Sequence, residues 1–133
     1  IITSTGKNIA PALIENLIKE HHLISHALIY GEGKSYLVAL ITLNQLEAEE
    51  YARARSLPFE SYAELTRHPE IVRLVQEIVD SANSRVSSTE AVKRFIILER
   101  DLQIETDEVT PTLKLKRGVV TERFSELLEN LYK

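Results

Sequence analysis

Cysteine is missing from this chain altogether. That excludes a disulfide framework, a thiolate nucleophile and any zinc site built on cysteine, and it fits a reducing compartment such as the cytoplasm. A surplus of positive charge is missing as well: 16 Lys and Arg stand against 20 Asp and Glu, for a net charge of −4. A dedicated nucleic-acid binder normally carries a basic face or stripe, so nucleic acid is not the expected partner. No apolar run approaches the ~20 residues that a membrane-spanning helix needs. Internal repeats and low-complexity tracts are also absent. What is present is an ordinary globular mixture, 44% hydrophobic and 27% charged, over 133 residues. That is enough for one domain with its own core.

The chain opens on Ile1-Ile2, apolar residues that read as a strand cut from something longer, so the expectation is an excised domain. Ile1-Ile2-Thr3, the turn residues Ser4-Thr5-Gly6 and Lys7-Asn8-Ile9 predict a short hairpin. Pro11 suits the first turn of a helix, with Ile14, Leu17 and Ile18 on one face. Leu23–Tyr30 and Tyr36–Leu43 are almost wholly apolar and are joined by Gly31-Glu32-Gly33-Lys34-Ser35. They predict a longer hairpin of central strands covered on two sides. Asn44 and Glu47 have the spacing of a capping box opening a helix to about Leu57, and Pro58–Thr66 reads as a connector. Pro69 opens the most periodic segment, with Ile71, Val72, Val75, Ile78, Val79 and Ala82 in one stripe. Val92–Leu98 reads as a third core strand and 101–107 as an acidic loop. Val119, Val120, Phe124, Leu127, Leu128 and Leu131 predict one closing amphipathic helix. The sum is an α+β domain: a small central sheet flanked by helices, with an amino-terminal β-hairpin.

Several chemical signals dissolve on inspection. Gly33-Lys34-Ser35 ends like a phosphate-binding loop, but Leu28 stands where that pattern needs its first glycine, and a strand follows instead of a helix. His22 and His26 are four apart on a segment that reads as strand, so they do not share a face as on a helix, and no metal site is expected from His21, His22, His26 and His68. Glu105, Asp107 and Glu108 lie in a polar loop where ordinary solvation explains them. The exception is Thr110-Pro111-Thr112-Leu113-Lys114-Leu115-Lys116-Arg117, three cations between an acidic loop and a helix start. Cations are unfavourable near a helix N-terminus, so either a solvated basic turn or a phosphate or carboxylate ligand accounts for Lys114, Lys116 and Arg117.

Two blocks together resemble the long-chain fatty-acyl-CoA synthetases of the adenylate-forming superfamily. Ile1–Pro11 with Ile14-Glu15-Asn16 is similar to their glycine-turn motif just past the hinge, and Thr110–Arg117 to their carboxy-terminal lysine motif. Ala27–Gly31, Tyr36–Ile41 and Lys93–Leu98 match in order and spacing between them, so the resemblance covers essentially the whole chain. Its Thr-Pro-Thr-Leu-Lys form points to the long-chain branch, where other branches carry Ser-Gly-Lys. The resemblance implies that 1–133 is a single mobile carboxy-terminal domain whose partner is a large amino-terminal domain outside this sequence. It also implies an enzyme that activates a fatty acid with ATP and Mg2+ to an acyl-adenylate, then transfers the acyl group to coenzyme A.

By motif position Lys114 is the adenylation lysine. Ser4-Thr5-Gly6 is the turn that faces the coenzyme A tunnel after the domain rotates, with Thr5 where many relatives carry glycine. Lys116 and Arg117 take supporting roles in field, domain contact or nucleotide contact. The isolated chain is expected to be inactive and cytoplasmic, and peripheral attachment of the whole enzyme to a membrane is compatible with its lipid substrate. The alternative from another class is a free-standing module that binds a phosphorylated ligand or a protein through the basic turn.

Overall fold

The computed structural model describes residues 1–133. Its centre is a three-stranded mixed sheet in the order β1-β2-β3, with β1 at Ile24–Tyr30, β2 at Leu37–Leu43 and β3 at Val92–Ile97. β1 and β2 form the predicted antiparallel hairpin, and β3 returns parallel to β2. The β1–β2 turn is tight. A Cβ on Gly31 would stand 2.5 Å from Cδ2 of Leu37, so glycine lets the chain pass this close to the core.

β2 is buried along its whole length because both faces are covered. Alternation then assigns its side chains to two separate cores. Leu37, Ala39, Ile41 and Leu43 point into the larger one, under α1 (Pro11–Lys19), α2 (Gln45–Ala54), α3 (Tyr62–Arg67) and α4 (Pro69–Asn83). Val38 and Leu40 point into the smaller one with Leu98, Leu102 and Val109, closed by Val120 of α5 (Arg117–Arg123) and Leu128 of α6 (Ser125–Asn130). The result is helix, sheet, helix, an α+β arrangement as expected from the sequence. No helix is long and apolar enough to cross a membrane.

Several boundaries differ from expectation, each for a local reason. β1 is well buried but lies at an edge of the sheet, and β3 holds the other edge with Lys93 and Arg94 exposed, so only β2 is a true central strand. Asn44 caps α2 by accepting the Glu47 N–H at 3.1 Å, but its own N–H goes to the Leu23 carbonyl, which leaves half of the capping box unused. α2 ends at Ala54, ahead of the left-handed Ser56, and the 58–66 connector holds all but the last residue of α3, capped by Ser61. On α4 the stripe is Ile71, Val75, Ile78, Val79 and Ala82, with Val72 turned outward. The single closing helix is broken at Phe124, whose φ of −107° and ψ of 22° lie outside helical values. The break lets Val120 and Leu128 both reach the same core.

Candidate functional site

Thr110-Pro111-Thr112-Leu113-Lys114 is a hairpin tip with defined backbone chemistry. Val109 and Leu115 form an antiparallel bridge at its base. The Thr110 N–H donates to the Lys114 carbonyl at 2.8 Å, and the Leu113 N–H donates to the Thr110 carbonyl at 2.7 Å. The Lys114 N–H is held by Thr110 Oγ1 at 3.0 Å. Pro111 presets the turn, and Leu113 follows it with φ +65°, the left-handed position of a three-residue loop. Lys114 is exposed, and its side chain enters none of the ion pairs, which engage its neighbours instead.

The base of the tip is anchored in the fold. Glu108, one residue before the bridge, is fully buried in the smaller core. Its two carboxylate oxygens accept from Arg100 Nη1 at 2.7 Å and Nη2 at 2.6 Å in a fork. Arg123 of α5 donates at 3.0 Å, the Thr106 hydroxyl at 2.8 Å and the Gln103 N–H at 3.1 Å. A carboxylate removed from water is tolerated only when it is paired and its lone pairs are used, as here. The Arg100 fork, then the Thr106, Arg123 and Gln103 donors, outweigh the burial and hold its pKa down at about 2.

On the far side of the tip, Arg117 opens α5 and forks onto Glu15 of α1, Nη1 to Oε2 at 2.7 Å and Nη2 to Oε1 at 2.5 Å. Glu15 Oε2 also accepts the Ile29 N–H of edge strand β1 at 2.7 Å. The carboxylate thereby caps an otherwise unpaired backbone donor and joins α1, β1 and α5 at one point. Lys116 pairs with Asp107 across the hairpin base.

Ser4-Thr5-Gly6 forms the second tip. Ile2 bridges to Asn8, Thr3 N–H donates to the Lys7 carbonyl at 2.9 Å, and Gly6 N–H to the Thr3 carbonyl at 3.0 Å. Gly6 has φ +81°. The tip is stitched to the β1–β2 turn: Ser4 N–H donates to the Lys34 carbonyl and Gly33 N–H to the Ile2 carbonyl, each at 2.9 Å. Lys34 in turn pairs with Glu129 of α6 at 2.8 Å. Ile9 roots this hairpin in the larger core, whereas Val109 roots the other in the smaller one.

The structure thus separates the three cations grouped by sequence. Lys116 and Arg117 are structural partners, and Lys114 is the free one. Glu108 needs correction: it is not a solvated loop acid but the most heavily hydrogen-bonded carboxylate of the site. Sequence reading passed over Glu15 as well. Its signal was present, because an acid beside Ile14 and three residues before Ile18 sits on the buried stripe of α1. Nothing local marked Arg100 or Arg123. Of the histidines, His26 is buried on β1, and His21 stacks on its neighbour His22 at a centroid distance of 4.6 Å.

The family model described as AMP-binding enzyme C-terminal domain matches residues 1–133. The chain belongs to that family. Among curated relatives, this AMP-binding enzyme C-terminal domain is 37% identical to the long-chain-fatty-acid–CoA ligase FadD15 of Mycobacterium tuberculosis, over 99% of this chain and 22% of that protein. It is 31% identical to the long-chain-fatty-acid–CoA ligase ACSBG2 of Rattus norvegicus, over 99% of this chain and 22% of that one. The chain therefore spans about a fifth of the length of these relatives. In fold it resembles the adenylation domain of a carboxylate reductase from Mycobacterium chelonae, with a TM-score of 0.75 at 22% identity over 99% of this chain and 19% of that one.

Groups whose pKa is lowered in the folded state make the stability of the AMP-binding enzyme C-terminal domain fall in acid, and Glu108 and His26 are the most buried of them. The depressed pKa of Glu108 contributes stability that is complete above its ordinary value of 4.5 and is lost as pH drops toward 2. Burial lowers the pKa of His26, so its protonation works in the same direction below 6.5. Urea unfolding followed from pH 7 to pH 2.5 is expected to lose on the order of 2 kcal/mol to Glu108 alone, mostly below pH 4.5. A flat profile through that window would contradict the ion-paired state described here.

Proposed function

We propose that residues 1–133 are the mobile carboxy-terminal domain of a cytoplasmic long-chain fatty-acid–CoA ligase. The whole enzyme would join a fatty acid to ATP, releasing pyrophosphate, and then pass the acyl group from AMP to coenzyme A, with peripheral membrane contact giving access to lipid. The observation that carries this reading is the division of labour among the three cations. Arg117 and Lys116 are tied to Glu15 and Asp107, and Lys114 alone is exposed on the tip they brace.

In the first half-reaction a carboxylate approaches an α-phosphate. Both are anionic, and charge grows as pyrophosphate departs. The Lys114 ammonium, donating to oxygens of both, would offset the repulsion and align the attack. It acts as a positioning cation and holds its proton. In the second half-reaction the domain turns, withdrawing Lys114 and presenting Ser4-Thr5-Gly6. There the Gly6 backbone allows close approach of the thin pantetheine arm. Mg2+ would screen the phosphates. No three His, Asp or Glu side chains of this chain come together to hold a metal, so the ion is assigned to the large amino-terminal domain. The acyl and adenine sites are assigned there too. In this chain a concavity of about 910 Å3 lies along β3, lined by residues such as Val72, Phe95 and Leu127, and neither tip borders it.

The test uses the full-length enzyme and the isolated chain side by side. The full-length protein should release pyrophosphate when a long-chain fatty acid is added with ATP and Mg2+, and form acyl-CoA when coenzyme A follows. The isolated chain should do neither. Acyl-CoA synthesis by 1–133 alone would refute the division into two domains. Tight phosphate binding by 1–133, with no fatty-acid-dependent pyrophosphate release by the longer protein, would favour the interaction module.

A further inference from the structure

The two hairpin tips are built on one plan, and they differ at one position where the difference is costly. Thr3-Ser4-Thr5-Gly6-Lys7 and Thr110-Pro111-Thr112-Leu113-Lys114 make the same backbone hydrogen bonds, fourth residue to first and first to fifth. In each, the first threonine hydroxyl accepts the N–H of the lysine, at 3.3 Å from Lys7 and 3.0 Å from Lys114, and meets the second threonine hydroxyl at 3.1 Å. The fourth residue of each is left-handed, φ +81° at Gly6 and φ +65° at Leu113. Glycine adopts that conformation freely, whereas a leucine Cβ crowds the adjoining carbonyl. The first tip therefore shows that this turn has no need of a side chain there. Leu113 nonetheless carries a large apolar one, and it gains no burial in return, being 60% exposed in this chain.

A strained residue with an unburied apolar side chain, one position from the free lysine, is accounted for by a contact made elsewhere. We propose that Leu113 is a positioning residue for adenylation. Its side chain seats against an apolar wall of the large domain in the adenylating arrangement and fixes the tip, so that Lys114 beside it meets the carboxylate and the α-phosphate. The inference rests on the ligase reading above. The partner is the enzyme's own large domain, because the contact must form when Lys114 engages and break when the domain turns. Leu113 adds nothing to the Ser4-Thr5-Gly6 face, so the second half-reaction is independent of it.

The experiment takes the full-length enzyme with Leu113→Gly, Leu113→Asn and Leu113→Met, together with Lys114→Ala, and measures thermal midpoints and both half-reactions separately. Gly and Asn accept the left-handed turn, so their midpoints should match or exceed that of the parent. Their adenylation should fall about tenfold or more, the loss expected when a leucine forfeits a buried contact. Thioester formation from supplied acyl-adenylate should stay within about twofold for both. Met, flexible and apolar, should keep adenylation near the parent rate. Unchanged adenylation in Gly and Asn overturns the proposal. So does a lowered midpoint with equal loss in both half-reactions, which would mark Leu113 as merely structural. The Lys114→Ala arm separates the two levels: normal adenylation there removes the ligase reading beneath the proposal, while its loss alongside a fully active Leu113→Asn removes the Leu113 proposal alone.

Discussion

On the ligase reading proposed above, Lys114→Ala in the full-length protein is expected to slow acyl-adenylate formation by about a hundred- to a thousandfold, the cost of losing one preorganised charge-stabilising donor. Thioester formation from supplied acyl-adenylate should change by less than about twofold. Lys114 and Ser4-Thr5-Gly6 stand on separate hairpins rooted in different cores, which fits the alternating use proposed above. Stability should be unaffected, because the Lys114 side chain is exposed and enters none of the ion pairs that hold its loop. Lys114→Arg is a sharper probe. It keeps the charge but replaces a compact ammonium on a flexible stem with a planar fork, and it should recover only part of the adenylation rate. Equal losses in both half-reactions for Lys114→Ala would contradict alternating use of the two tips.

The parts legible in the sequence are those written in local patterns. Apolar runs gave β1 and β2, Pro11 and Pro69 marked the starts of α1 and α4, and turn residues marked the hairpins at Ser4-Thr5-Gly6 and Gly31–Ser35. The family resemblance singled out Lys114 and Ser4-Thr5-Gly6, and the structure puts each on a hairpin tip. What escaped was set by tertiary contact. The pairing of Arg100 and Arg123 with Glu108 depends on α5 folding back across the smaller core, and no spacing along the chain encodes that. The break at Phe124 was hidden because Val120 and Leu128 fit one helical stripe as well as two short helices. Leu113 was masked for the opposite reason: only a backbone angle distinguishes it from an unremarkable surface leucine.

Removing Glu108 should cost the most stability of any single change at the site. Glu108→Ala leaves Arg100 and Arg123 facing a core with no counter-charge, and breaking a buried pair in this way costs about 3–5 kcal/mol. Both arginines are 40–41% exposed at the side chain, so they regain some water, and the lower end of that range is expected. The loss should appear as a lower urea midpoint at pH 7. Glu108→Gln separates charge from shape. It keeps the volume and part of the hydrogen bonding but not the ionisation, so it should lose less than the alanine variant and also flatten the acid limb below pH 4.5. Function should follow stability here in one direction only. Glu108 immediately precedes Val109 at the root of the Lys114 hairpin, and its carbonyl accepts the Lys116 N–H at 2.9 Å, so loosening it blurs the position of the lysine. On the proposed ligase reading, Glu108→Gln in the full-length protein should therefore lower adenylation more than thioester formation, even at temperatures where the protein remains fully folded. If both half-reactions stay at the parent rate while the urea midpoint drops, the buried carboxylate holds the fold without holding the lysine.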